Sequence, residues 1–224
     1  MKNKLIFWGV LIILLSIAPL TILDTLNFSV AFKFPAATTN LLMRFLGLTA
    51  FILLFWQLMI GAFMERWINK LGGWIFNFHV INGVVIYSLV FLHLLSLVLF
   101  RYFLGIGMDP IFVFLGFCIY CQTKTDFYYT LGRVAFWLIT IGVLAGFFRK
   151  STTFMRFNWR KFHVLNYLAF LIIGIHGYLL GTDFLIQPFF AFSIIAYLLV
   201  IYTIIRKIPS LLITYGIYSR SSRS

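Results

Sequence analysis

Acidic side chains are nearly missing from this sequence. Only five Asp and Glu stand among 224 residues, against 18 Lys and Arg, and all five lie at the ends of apolar runs or between them. A proton or cation transporter needs carboxylates at membrane depth, so that class is disfavoured. Charge of either sign is scarce at 10%, and 62% hydrophobic residues with a mean hydropathy of +1.03 exclude a soluble globular domain. No G-x-G-x-x-G or other phosphate-cradling loop occurs, so the chain has no nucleotide-binding fingerprint of its own. Cysteine is limited to Cys118 and Cys121, a C-x-x-C without the strand–helix context of a thioredoxin-like site. These read as two thiols in an apolar segment or as a passive disulfide on an exported face. No internal repeat stands out, and no low-complexity run beyond the serine-rich end.

What fills the sequence is apolar runs long enough to cross a roughly 30 Å hydrocarbon core. Six are expected, at about 5–23, 42–63, 74–100, 129–148, 162–181 and 188–205. The fold class is therefore an all-α, six-helix transmembrane bundle in a cell (plasma) membrane. Residues 1–40 hold the first span and its loop, 41–206 the core, and 207–224 a basic tail. The apolar piece 111–121 is too short to cross and is expected to be interfacial or re-entrant. The opening MKNK and its apolar run have the charge order of a signal peptide. The run is too long, however, and Pro19 follows the only small-residue site, so a retained span is expected.

The net charge of +13 reflects orientation in the bilayer and not nucleic-acid binding. Thirteen Lys and Arg fall in the termini and in the links after the second and fourth spans, while the other face carries Lys33, Arg44, Arg101, Lys124 and Arg133. Positive-inside places both termini in the cytoplasm.

The four histidines are the candidate chemistry. His79 and His93 are fourteen residues apart on the third span, and His163 and His176 thirteen apart on the fifth. Fourteen residues of helix rise about 21 Å and return to within about 40° of the same face. Spans three and five run in the same direction, so His79 meets His163 at the inner level and His93 meets His176 at the outer. A thirteen-residue step leaves about 140° between His163 and His176 on an ideal helix, which tightening near His163 or distortion near Gly174 and Gly177 would absorb. Zinc or copper sites need several ligands close together, and no i, i+4 pair exists. Two haems, each with an imidazole on either side of the iron, fit best.

Neighbouring residues extend the site. Gly83, one turn past His79, leaves room for a macrocycle or for a packed helix. Haem propionates need cations: Arg160, Lys161 and Lys70 stand at the inner level, Arg44, Arg101 and Arg133 at the outer. Arg44 lies inside an apolar run, where a guanidinium needs an anion, and it is expected to bind a propionate or the electron acceptor. The aspartates of the outer end, Asp183 among them, are read as displaced partners. Phe170 lies between the two histidine levels, either between the cofactors or in plain packing.

The stretches FHVINGVVIYSLVFLHLL and WRKFHVLNYLAFLIIGIHGYLLGTD, with weaker echoes in RFLGLTAFILLFWQLMIGA and LGRVAFWLITIGVLAG, resemble the ferric reductase-like transmembrane domain family. That family includes ferric reductases, the membrane part of NADPH oxidases and the haem subunit of a bacterial methionine sulfoxide reductase system. The resemblance covers about residues 40–185. It implies two b-type haems, His79/His163 and His93/His176 as the iron ligands, and outward electron flow. It also implies an arginine near the outer haem, at the place of Arg44. Larger members continue into a flavin- and nicotinamide-binding domain, whereas this sequence ends within about twenty residues of its sixth span. FAD or FMN is therefore expected only through a partner.

The expected function is that of a membrane oxidoreductase component. A cytoplasmic donor, such as a separate flavoprotein, docks on the basic RKSTTFMRFNWRK link. The acceptor is exported: ferric iron, oxygen or a partner reductase. Two other classes compete, a haem-binding or haem-moving protein without electron flux and a cofactor-free scaffold.

Overall fold

The computed structural model describes the backbone of residues 2–214 and the side chains of residues 2–207. Ten α-helices occur in that range: α1 (Lys2–Thr25), α2 (Phe28–Ala31), α3 (Pro35–Ala62), α4 (Met64–Leu71), α5 (Trp74–Phe103), α6 (Pro110–Leu115), α7 (Lys124–Phe147), α8 (Thr153–His163), α9 (Leu165–Leu180) and α10 (Phe189–Thr214). A 3₁₀ turn, Thr182–Leu185, links α9 to α10. No strand is present among the described residues. Six helical units are long and apolar enough to cross a membrane: α1, α3, α5, α7, α8 with α9, and α10. The chain is an all-α, multi-pass membrane bundle.

Local signals set the helix starts. Pro35 opens α3, and the Thr123 and Thr152 side chains accept from the backbone N–H groups of Asp126 and Met155 to cap α7 and α8. The last helix continues to Thr214, so the tail expected from 207 begins as helix; residues past 214 lie outside the described residues.

Contacts fix which ends lie together. Asn3 donates to the Lys70 carbonyl at 3.3 Å, Lys207 lies 5.7 Å over the Phe63 ring, and Arg149 lies 5.3 Å over Phe76. The N-terminus, the α3–α5 link, the α7–α8 link and the end of α10 thus share one basic end. At the opposite end α6 leans on α5 and α7, with Val113 buried beside Leu94, Val98 and Phe136. This is the short segment expected to be interfacial.

The core centres on α3, the most buried span, which packs on α1, α5, α9 and α10. Phe51 stacks on Phe170 at 4.7 Å between ring centres, with Phe189 and Phe192 around them. Phe170 is therefore a fully buried packing residue. Large apolar side chains on the outside, such as Leu5, Ile13, Ile81 and Leu198, are more than half exposed, an apolar girdle suited to lipid.

Candidate cofactor site

Two helix pairs build the site. α3 packs along α5 and α7 along α9, whereas contact between the pairs is sparse, which leaves a seam down the middle of the bundle. The four histidines reach into this seam from α5 and from the α8–α9 unit. His79 and His163 face each other with ring centres 6.3 Å apart and planes at 64°. His93 and His176 line one cavity of about 60 Å³, walled also by Phe51, Leu54, Val90, Phe136 and Ile173.

Each imidazole rests on a glycine of the paired helix. A methyl carbon at Gly47 would come within 3.0 Å of His93, at Gly61 within 3.1 Å of His79, at Gly132 within 2.8 Å of His176, and at Gly146 within 3.6 Å of His163. Gly47 and Gly61 are fourteen apart, as are Gly132 and Gly146. Sequence reasoning missed all four; the signal was a glycine spacing equal to the histidine spacing.

The glycines also explain the hydrogen bonds. Nδ1 of His93 bonds to the Met43 carbonyl at 2.8 Å, Nδ1 of His176 to that of Tyr128 at 2.8 Å, and Nδ1 of His163 to that of Gly142 at 3.0 Å. Each carbonyl belongs to the residue four before the facing glycine. On a helix, residue i+4 sits over carbonyl i, and without a Cβ there the second lone pair of that carbonyl stays open. A carbonyl only accepts, so these three Nδ1 atoms carry the proton and Nε2 keeps its lone pair. Among the described residues no protein group bonds any of the four Nε2 atoms. His79 departs from the pattern, because its Nδ1 is buried with no partner.

These features fit a bis-imidazole iron. Two metal–nitrogen bonds of about 2 Å in line, with about 1.1 Å from each nitrogen to its ring centre, set the rings about 6 Å apart. His79 and His163 already have that separation. Orientation of a metal-bound imidazole through Nδ1–H to a carbonyl is the usual supporting contact. Among the described residues no three His, Cys, Asp or Glu side chains gather as a multidentate metal site.

The thirteen-residue step is accommodated at His163. The helix breaks at Val164, and the Tyr167 N–H bonds to the Val164 carbonyl at 3.0 Å, a tighter i→i−3 turn. Asn166 Nδ2 donates to the His163 carbonyl at 2.9 Å, filling the place of the lost backbone donor. Its amide lies directly over Gly142. Around His79 the amide comes from the other helix: Gln57 Nε2 donates to the His79 carbonyl at 2.7 Å and is held by Asn82 at 2.9 Å.

Other expected residues are placed differently. Gly83 faces the Gln57 amide, 3.1 Å from where its Cβ would be, so it makes room for that side chain rather than for a macrocycle. Arg44 forms a two-point contact with Asp183 and also reaches Thr25. Asp183, read from the sequence as displaced, is the direct counter-ion, because the 3₁₀ turn after α9 folds back over α3. The ground for giving Arg44 a propionate is thereby removed. Arg160 is exposed, with its guanidinium 5.6 Å over Trp159, whose ring centre is 5.6 Å from that of His163. Cys118 and Cys121 form a disulfide outside the seam.

No family model matches the chain, and no curated protein or solved structure is detectably similar to it.

Proposed function

We propose that this protein is a transmembrane electron-transfer subunit that carries two b-type haems, one between His79 and His163 and one between His93 and His176. The observation that carries the reading is four imidazoles in two pairs across the seam, three of them fixed through Nδ1–H, with Nε2 unbonded among the described residues. When bound, each haem iron supplies a one-electron site that alternates between ferric and ferrous states. The four histidines would hold the iron through Nε2, the Met43, Tyr128 and Gly142 carbonyls set the orientation of three of the rings, and apolar groups wall the gap and exclude water. The resemblance to the ferric reductase-like domain supports the same assignment.

The distribution of Lys and Arg puts the basic end in the cytoplasm of a cell bound by this membrane. There α8 offers exposed Arg156 and Arg160 beside exposed Phe154 and Phe157, a surface suited to an acidic donor such as a separate flavoprotein. Electrons then leave at the opposite face to an exported acceptor: ferric iron, oxygen or a partner reductase. A cofactor-free scaffold would be expected to engage both ring nitrogens between helices, and here, among the described residues, Nε2 stays unbonded on each histidine and Nδ1 also on His79.

The test is the oxidised and reduced absorption spectrum of the purified protein, with haem counted per chain. Two low-spin haems are expected. His93→Ala or His176→Ala should remove one, and His79→Ala or His163→Ala the other. A single haem, or a spectrum untouched by all four substitutions, overturns the proposal.

A further inference from the structure

Arg133 is 4% exposed and lies on α7 between Gly132 and Phe136, both of which line the gap beside His93 and His176. Its Nε donates to the Val113 carbonyl at 3.2 Å and one terminal nitrogen reaches Thr130 at 3.5 Å, but Nη2 is buried without an acceptor. Arg101, eight residues beyond His93 on α5, lies on the same aromatic ring. The two guanidinium carbons are 4.4 and 4.5 Å from the centre of Phe112. The Nε of Arg101 is also buried without an acceptor. Neither arginine has a carboxylate within ion-pair distance. The nearby acids are used locally: Asp126 is held by Thr123 at 2.7 Å, and Asp109 caps α6 through the Phe112 N–H at 2.8 Å.

Two cations converging on one ring, each with a dry unpaired donor, are costly unless an anion joins them. The ring faces offset part of the charge but accept no hydrogen bond along the guanidinium edge. We infer that Arg101 and Arg133 together bind a carboxylate at this end of the seam, as a forked, charge-assisted contact. The carboxylate comes either from a propionate of the haem between His93 and His176, which rests on the function proposed above, or from a soluble ligand on that face. Arg44, by contrast, already has its carboxylate partner in Asp183.

The experiment compares the full-length wild type with Arg101→Gln, Arg133→Gln and Arg133→Lys. Haem is counted per chain, both haems are titrated for potential, and citrate binding is measured by calorimetry. His93→Ala identifies which potential belongs to which level. If the source is a propionate, either Gln variant lowers the potential of the His93/His176 haem alone, Arg133→Lys lowers it less, and citrate does not bind. If the source is soluble, the potentials hold, citrate saturates the wild type, and each Gln variant weakens it at least tenfold. Arg101 is the less buried, so its variant decides the matter should Arg133→Gln fail to fold. Bound haem with unchanged potentials and no arginine-dependent citrate binding overturns the inference and leaves the two arginines as supports for α6. Absence of haem defeats the histidine reading instead; arginine-dependent citrate binding in that protein would keep the anion site.

Discussion

The helix pairs α3/α5 and α7/α9 are two versions of one arrangement. In each, two glycines fourteen apart on the first helix receive two histidines, from α5 in one and from the α8–α9 unit in the other. Asn follows the first histidine by three residues in both, in FHVIN and FHVLN. The two pairs cross the membrane in the same order and direction, α3 and α7 one way, α5 and α9 the other. They differ at the amide. In the first pair Gln57 on α3 covers the His79 carbonyl and lies over Gly83, and His79 Nδ1 is left unbonded. In the second, Asn166 covers the His163 carbonyl and lies over Gly142, and His163 Nδ1 keeps its carbonyl partner. The comparison teaches that the histidine and its glycine are the fixed elements, while the polar support around them is interchangeable.

The largest expected effect falls on the first pair, which alone carries the Arg44–Asp183 contact. Arg44→Leu strands a carboxylate that is 4% exposed and should cost about 3–5 kcal/mol of stability. Thermal unfolding in detergent measures it, and adding Asp183→Leu should recover much of the loss. An undiminished melting temperature in the single variant would mean that the outer ends of α1, α3 and α9 are held by other contacts.

Next come the glycines, which test whether the two pairs share one rule. Gly132→Ala puts a carbon within 2.8 Å of His176 and should cost about 1–3 kcal/mol, with displacement of the ring and weaker haem retention. Gly146→Ala, at 3.6 Å from His163, should be close to neutral. Equal haem content and stability in both variants would break the link between glycine and ligand.

The smallest effect sharpens the difference between the pairs. Gln57→Leu removes the amide above His79 and should cost about 1 kcal/mol, because the His79 carbonyl keeps its backbone bond. Asn166→Leu should cost more, since there the backbone donor has turned to Val164. Chemical denaturation of the two variants orders them; the reverse order would show that the break at Val164 carries no penalty of its own.

The six spans, the basic end and the level of each histidine could be read directly from hydropathy, charge and spacing. The repeat could not. Its matching positions are offset by 85 residues at the glycines (132 − 47), 84 at the first histidines (163 − 79) and 83 at the second (176 − 93), so no single register aligns them. Between those positions most residues are apolar packing groups, for which being apolar is enough and identity drifts. The direct pairing of Arg44 with Asp183 was hidden for a related reason. Asp183 lies 139 residues away, and only the fold-back of the turn after α9 brings it to α3. The tightening at His163, by contrast, was legible, because thirteen residues cannot return a helix to its starting face.

The amide over a glycine carries a consequence for ancestry. If the two halves descend from one hairpin, the ancestor had its amide on one side of the interface and a glycine on the other. The asparagine is common to both halves, Asn82 and Asn166, and what differs is the facing helix, which carries Gln57 in one half and Gly142 in the other. In the second half a carbon added at Gly142 would come within 2.5 Å of the Asn166 amide, and loss of that amide would leave the His163 carbonyl short of a donor. Passage between the two solutions therefore requires paired replacements, and a lineage that reached either one would be slow to leave it.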